Sequence, residues 1–118
     1  MNSNKITGNK GEDIGVSYLQ KKGFAILAKN WRYRHWEVDI IAGRDNMLHF
    51  IEVKTRNSLR YGYPEESITR EKMNHLKHAS TVFHSQHPHW KRIQFDVLAI
   101  TLVNNEAKEI LMIEDVYF

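Results

Sequence analysis

The chain has 118 residues, with 17 Lys and Arg against 14 Asp and Glu, and a formal net charge of +3. This length predicts one domain over residues 1–118, because domains of roughly 100 to 150 residues are the commonest size. The longest nearly apolar run is Val97–Val103, and a membrane-spanning helix needs about 20 residues, so no membrane span is predicted. The absence of cysteine excludes disulfides, thiolate metal sites and cysteine nucleophiles, and we expect a cytoplasmic location.

Positive charge is concentrated in the middle of the chain. Residues 54–92 carry eight Lys and Arg against three Asp and Glu, together with five of the seven histidines. Tyr61, Tyr63 and Trp90 lie in the same segment. Cations beside aromatic rings are typical of a nucleic-acid-binding surface, because Lys and Arg displace counterions from phosphates. The alternative is a solvated helix face with a moderate excess of charge.

The predicted elements follow the order α-β-β-β-α-β-β. The first half begins with a helix over residues 9–22, closed by Gly23, and continues with strands within Phe24–Arg34, Trp36–Ala42 and Met47–Lys54, with a turn at Gly43–Asn46. A loop follows over residues 55–67, and then a helix from the N-cap Thr69 to about His84. The last two strands, Ile93–Val103 and Glu109–Tyr117, are joined by a turn at Asn104–Asn105. This order predicts an α/β fold, with a mixed central sheet of about five strands flanked by helices.

Two polar motifs in neighbouring strands point to chemistry. Glu37 and Asp39 frame the first, and Glu52 and Lys54 frame the second, with twelve residues between Asp39 and Glu52. Side chains two apart on a strand share a face, so each motif presents its two charged groups together. Whether the two carboxylates meet depends on how the hairpin between the strands is paired.

Three hairpin registers are open from the sequence. A two-residue loop at Arg44-Asp45 makes Glu52 the diagonal neighbour of Asp39, roughly 7 to 8 Å away at the backbone. A four-residue loop over residues 44–47 places the two directly opposite each other. A three-residue loop places them on opposite faces of the sheet, and in that register the two carboxylates could not share an ion.

The two carboxylates suit Mg²⁺ or Mn²⁺, which are hard cations that prefer oxygen ligands. Such an ion lowers the pKa of a bound water and neutralises charge on a scissile phosphate. Lys54, one strand step beyond Glu52, can orient that water and stabilise the developing negative charge. Asp39, Glu52 and Lys54 therefore predict a metal-dependent phosphodiesterase. The alternative is an exposed sheet face with ordinary cross-strand ion pairs.

A longer ordered set of residues accompanies these motifs along most of the chain. Its members are Gly8, Gly11, Glu12, Leu19, Gly23, Asn30, Arg32, Glu37-Val38-Asp39, Glu52-Val53-Lys54-Thr55-Arg56, Gly62, Pro64, Lys72 and Phe95-Asp96. This set resembles the bacterial YraN-like family, which is related to archaeal Holliday-junction resolvases and to restriction-endonuclease-like nucleases. The resemblance implies a PD-(D/E)xK-type core in which Asp39, Glu52 and Lys54 are the motif residues. It also implies that Glu12 and the backbone carbonyl of Val53 complete the metal site.

The sequence departs from the family pattern at four positions. Val38 stands in place of the motif proline, Trp36 in place of a glycine, Gln94 in place of an arginine and Gly15 in place of a common alanine. None of these changes removes an expected metal ligand. The Gln94 change puts in doubt an arginine contact at that point.

The resemblance implies an Mg²⁺- or Mn²⁺-dependent endonuclease acting on nucleic acid, with DNA favoured over RNA and branched or structured DNA as a candidate substrate. Contacts to the nucleic acid are expected from Thr55, Arg56, Arg60 and Lys72, with Glu37 as an accessory residue. Resolvases cut opposing strands as two-fold dimers, which suggests a homodimer. Two alternatives are a nucleic-acid-binding module of a repair or recombination complex that lacks efficient catalysis, and a small interaction protein.

Overall fold

A five-stranded mixed sheet with two helices organises the protein. The computed structural model describes residues 3–57 and 69–116, with side chains from residue 10 onward. The elements are α1 (Ser3–Lys21), β1 (Ala25–Tyr33), β2 (Trp36–Arg44), β3 (Met47–Arg56), α2 (Arg70–Gln86), β4 (Arg92–Val103) and β5 (Glu106–Ile113). The strands lie in the order β1-β2-β3-β4-β5. The predicted α/β fold, element order and strand number are confirmed.

All neighbouring strands are antiparallel except β3 and β4, which are parallel. A parallel pair needs a crossover connection, and α2 lies between β3 and β4 in the chain. The pairing in the outer strand β1 is irregular, with a register shift between Ile26 and Ala28. Asn30, further along the same strand, has a φ of 53°.

The β2–β3 hairpin closes through a tight turn at Asp45 and Asn46. These residues have φ angles of 53° and 64°, as in the type I′ turn that matches the twist of the flanking strands. Arg44 therefore pairs directly with Met47. The predicted two-residue loop is displaced by one position. The register is the one predicted for a loop over residues 44–47, although the turn itself is shorter.

The β4–β5 hairpin closes in the same way at Asn104 and Asn105, whose φ angles are 52° and 64°. The predicted turn is confirmed. Because a two-residue turn returns the chain at once, β5 begins at Glu106 rather than at the predicted Glu109. It ends at Ile113, short of the predicted strand end, which lies outside the described residues.

The helix ends follow their sequence signals. Gly23 has a φ of 91°, the left-handed conformation that a helix C-cap favours. The Thr69 hydroxyl accepts a hydrogen bond from the Lys72 backbone N–H at 3.1 Å, which makes Thr69 the N-cap of α2. The helix α1 starts at Ser3, before the predicted start at residue 9. The prediction missed this first part because its residues are mostly polar and show no apolar periodicity. Neither helix in the described ranges is long and apolar enough to cross a membrane.

Each face of the sheet packs against one helix. The cluster beneath α2 joins Met73, Leu76 and Phe83 to Phe50 of β3. The cluster beneath α1 contains buried residues from α1 and three strands, namely Leu19, Ile40, Ala42, Ile51, Leu98, Ile100 and Leu102. The strand β3 is therefore buried on both faces, which fixes the position of the polar residues that follow Ile51.

The alternation predicted along β2 fails near its beginning. Val38 and Ile40 are two residues apart and would share a face in a regular strand, but Val38 packs in the cluster beneath α2 and Ile40 in the cluster beneath α1. The regular β2–β3 pairing ends at Ile40 and Ile51. Before that point β2 pairs only with β1, and a two-stranded ribbon twists more strongly than a wider sheet.

Candidate active site

Asp39 lies where β2 and β3 separate. The last regular pair is Ile40 with Ile51, and one further step places Asp39 across from Glu52. The Asp39 Oδ2 atom accepts a hydrogen bond from the Val53 backbone N–H at 2.8 Å. The Asp39 side chain thus accepts the hydrogen bond of a backbone N–H group just beyond the last regular β2–β3 pair. This bond fixes the orientation of the Asp39 carboxylate.

The surroundings of Asp39 disfavour the charged form of its side chain. Burial, followed by the charge of Glu52, raises the pKa of Asp39 from 3.8 to about 7. The charges of Glu12 and Glu37 act in the same direction, and the hydrogen bond from Val53 opposes them. Asp39 and Glu52 are thus close enough for one carboxylate to resist ionisation of the other.

Two lysines converge on the buried Glu52. The residue is only 5% exposed, and its Oε1 atom lies 2.5 Å from the Lys72 Nζ and 3.5 Å from the Lys54 Nζ. Lys54 comes from the same strand as Glu52, whereas Lys72 comes from the first turn of α2. The capped start of α2 therefore delivers a cation directly to the carboxylate.

The two lysines differ in their affinity for a proton. Burial, together with the adjacent Lys72, lowers the pKa of Lys54 despite the attraction of Glu52. Burial also opposes the charged form of Lys72, but its contacts with Glu52 and Lys54 outweigh this and raise the pKa of Lys72. Lys54 is consequently the lysine that gives up its proton more readily.

Close packing brings α1 to this end of the sheet. A Cβ atom on Gly11 would meet the Thr55 hydroxyl oxygen at 1.9 Å, so the helix lies directly against β3. The neighbouring Glu12 is half-buried, and its charge contributes to the raised pKa of Asp39. The three carboxylates of Glu12, Asp39 and Glu52 do not all approach within 4.8 Å of one another. Within residues 3–57 and 69–116, the one histidine and acid trio that does so lies elsewhere.

Replacing Gly11 with alanine is expected to destabilise the protein. The added methyl group overlaps the Thr55 hydroxyl, and overpacking of this kind costs roughly 1 to 3 kcal/mol. Urea unfolding of Gly11→Ala measures the loss. Removing the hydroxyl as well, in Gly11→Ala with Thr55→Ala, should recover much of it. A single variant as stable as the wild type would contradict this close approach, since alanine otherwise favours a helix.

The remaining predicted residues are dispersed around this centre. Thr55 lies beneath Gly11, and Arg56 is half-buried at the end of β3. Glu37 pairs with Arg32 at 3.1 Å, so its carboxylate is engaged away from Glu52. Arg60 lies outside the described residues. The predicted nucleic-acid contacts of Thr55, Arg56, Arg60 and Lys72 stay predictions.

A second polar cluster was missed by the sequence interpretation. His49 and Asp96 are both buried, and the His49 Nδ1 lies 2.6 Å from the Asp96 Oδ2. The exposed Glu114 completes the trio of ligand atoms within 4.8 Å. The Gln94 amide donates a hydrogen bond to the Asp96 Oδ1 at 2.8 Å. Asp96 belongs to the set that resembles the YraN-like family, and this was the one signal for it.

Comparison with known proteins places the chain in a family. The family described as "Uncharacterised protein family UPF0102" matches residues 11–100. The chain belongs to the UPF0102 family. The YraN-like resemblance is thereby confirmed at the level of the family, and the UPF0102 match covers Glu12, Asp39, Glu52 and Lys54. The name UPF0102 describes no activity.

Relatives that carry the name "UPF0102 protein" align along nearly all of the chain. One from Caldicellulosiruptor saccharolyticus is 41% identical over 119 residues, which cover 99% of this chain and 100% of the relative. One from Chloroherpeton thalassium is 38% identical over 125 residues, with 99% and 97% covered. One from Rhodococcus opacus is 36% identical over 118 residues, with 99% and 100% covered. The fold and candidate site described above therefore lie within the aligned region of all three.

Proposed function

We propose that this UPF0102 protein is a metal-dependent endonuclease of the restriction-endonuclease-like type, which hydrolyses phosphodiester bonds in DNA. The observation that carries the proposal is the meeting of Asp39, Glu52 and Lys54 at one end of the sheet. Branched or otherwise structured DNA is the proposed substrate, and a two-fold dimer would allow two opposing strands to be cut.

The donor set fits a hard divalent cation such as Mg²⁺ or Mn²⁺. Asp39 and Glu52 would supply carboxylate oxygens, and the backbone carbonyl of Val53 would add a further oxygen. Burial, followed by the charge of Glu52, raises the pKa of Asp39, and a cation held between the two carboxylates would offset both effects. Lys72 places its ammonium group on Glu52, so a metal bound to this carboxylate would have to take the place of the lysine. Glu12 would approach the ion from α1.

Lys54, Val53 and Lys72 have different roles in the proposed reaction. When bound, the metal would make a water molecule more acidic and neutralise charge on the phosphate. Lys54 donates a hydrogen bond towards the reacting phosphate and stabilises the negative charge that develops there. Val53 holds the Asp39 carboxylate in a fixed orientation through its N–H group. Lys72, which is half-exposed, would contact the DNA backbone once a metal takes over the charge of Glu52.

A nucleic-acid-binding module without catalysis is the second candidate function. One observation favours it, since Lys54 and Lys72 already satisfy the Glu52 carboxylate. A site that is electrostatically balanced by its own lysines has less need of an ion. This reading also accommodates the concentration of basic residues between positions 54 and 92.

Cleavage assays test the nuclease proposal. Four-way junction, flap, duplex and single-stranded DNA, and RNA of matched sequence, are incubated with the protein in Mg²⁺, Mn²⁺ or EDTA. We expect metal-dependent cleavage that falls by roughly 100-fold or more in Lys54→Ala, the loss typical of removing one transition-state donor. Lys108→Ala, which removes an exposed lysine of β5, is the matched control and should cleave like the wild type.

Two results would overturn this proposal. Cleavage that persists in Lys54→Ala at the wild-type level would indicate a contaminating nuclease. Equal and negligible calorimetric heats for Mn²⁺ binding to the wild type and to Asp39→Asn, with no cleavage of any substrate, would favour the binding module instead.

A further inference from the structure

A row of rings lies at the tip of the β1–β2 hairpin, against one side of α2. We call this the ring row, and its members are Trp31, Tyr33, His35, Trp36, His75 and His78. Tyr33 and Trp36 form the last pair of the hairpin, and Arg34 in the turn has a φ of 58°. The sharp turn thus sets rings of two strands beside rings of the helix.

The central rings are nearly parallel. Trp31 and Tyr33 have centroids 6.4 Å apart with an interplanar angle of 11°. Tyr33 and Trp36 are separated by 6.1 Å and 23°, and Trp36 and His78 by 5.0 Å and 13°. Rings in such a succession share an orientation, which is the arrangement that stacked bases also adopt.

The ring row is anchored on one side and open on the other. Trp31 and Trp36 pack against the core cluster beneath α2, and both are only partly buried. His35 and His78 are exposed. His35 also contacts Trp36 at 5.1 Å and His75 at 5.7 Å.

Positive charge accompanies the rings. The Arg34 guanidinium lies 5.5 Å from the centre of the Tyr33 ring, and Arg34 is exposed. The sole acidic residue between positions 31 and 37 is Glu37, which is paired with Arg32. A surface of stacked rings beside an exposed arginine complements a single nucleic-acid strand, because bases stack on the rings and phosphates attract the cation.

The ring row is adjacent to the candidate active site. Trp36 and Asp39 lie three residues apart on β2, which is about 10 Å along a strand. On α2, His75 and His78 follow Lys72 by three and six residues, which is about 5 and 9 Å along a helix. The strand β2 and the helix α2 each contribute residues both to the candidate active site and to the ring row. A nucleic-acid strand that crosses the site would therefore reach the rings within a few nucleotides.

We infer that the ring row binds unpaired bases of the substrate next to the scissile phosphate. The ligand class is single-stranded nucleic acid, such as the flap or splayed arm of a branched substrate. The position relative to the cleaved bond rests on the proposed function. The binding of unpaired bases itself requires neither metal nor catalysis, so it is testable even where cleavage is not observed.

Binding is measured in EDTA by fluorescence anisotropy, with labelled oligothymidine and a labelled duplex of the same length. The variant His35→Ala with His78→Ala removes two exposed rings, so the fold should persist, as checked by its thermal unfolding midpoint. We expect roughly tenfold weaker binding of oligothymidine, in line with the loss of base stacking, and less than a twofold change for the duplex. His89→Ala, an exposed histidine beyond the end of α2, should change neither affinity.

A conservative variant separates stacking from folding. Trp36→Phe keeps a flat ring and should retain most of the affinity for oligothymidine, whereas Trp36→Leu should lose it. Equal weakening of oligothymidine and duplex in the double histidine variant, or no weakening of either, would overturn the inference. If single strands bind as expected but nothing is cleaved in Mg²⁺ or Mn²⁺, the proposed nuclease function fails while the ring row stands.

Discussion

Replacing Asp39 with asparagine is expected to stabilise the metal-free protein at pH 8 by as much as about 4 kcal/mol. The pKa of Asp39 is raised from 3.8 to about 7 in the folded protein, and each tenfold difference in proton affinity is worth about 1.4 kcal/mol. Asparagine carries no charge and can still accept the hydrogen bond from Val53. The wild type is therefore the less stable protein wherever Asp39 has to ionise.

The raised pKa of Asp39 makes the stability of the wild type depend on pH. The folded state binds the Asp39 proton more tightly than the unfolded state, so the wild type loses stability as the pH rises from about 4 to about 7. Below pH 4 the residue is protonated in both states, and the difference between wild type and variant should vanish.

Urea unfolding in EDTA at a series of pH values measures this difference. Glu37→Gln is the matched control, since Glu37 makes only a minor contribution to the pKa of Asp39, and its difference from the wild type should vary little with pH. A difference between Asp39→Asn and the wild type that is constant from pH 4 to pH 8 would refute the raised pKa. Addition of Mn²⁺ should stabilise the wild type and leave the asparagine variant unchanged.

Replacing Asp96 with alanine is expected to cost roughly 1 to 3 kcal/mol of stability, the cost of leaving a buried polar group without its hydrogen-bond partner. Asp96 is fully buried. Besides the contact with His49, its Oδ1 atom accepts hydrogen bonds from the Gln94 amide at 2.8 Å and from the Asp115 backbone N–H at 2.9 Å. Alanine would leave all three groups without this partner, and the loss is costly for the buried His49 ring in particular.

Denaturant unfolding at neutral pH measures the effect of Asp96→Ala. Asp96→Asn keeps the shape of the side chain and one carbonyl acceptor, so its cost should be smaller. Asp13→Ala provides the contrast, because its ion pair with Lys29 is solvent-exposed and such pairs contribute little. If Asp96→Ala unfolds at the same urea concentration as Asp13→Ala, the buried cluster does not stabilise the fold.

Local signals in the sequence were sufficient for most of the fold. The N-cap at Thr69, the C-cap at Gly23 and the Asn104–Asn105 turn each have a short-range cause, which acts through one or two hydrogen bonds or through left-handed φ angles. Asp39 and Glu52 were also identified from spacing. Their meeting depended on a register that the sequence left open between three alternatives.

Contacts between distant segments could not be read in the same way. The approach of Lys72 to Glu52 depends on where α2 begins relative to the end of β3, and 13 residues separate α2 from β3. The pairing of His49 with Asp96 depends on β3 and β4 being parallel neighbours. The ring row depends on the hairpin tip folding against α2. In each case the deciding quantity is tertiary packing, which no local pattern records.

The irregular outer strand β1 has a consequence for self-association. An outer strand with regular, unpaired backbone N–H and C=O groups is a template on which another chain can add a strand. The shift between Ile26 and Ala28 and the left-handed Asn30 interrupt that template. At the opposite margin of the sheet, β5 carries Glu106, Lys108 and Glu109, and such charges disfavour edge-to-edge stacking. Crowded copies of this protein therefore meet an interrupted template for amyloid-like growth at β1 and a charged one along the first half of β5.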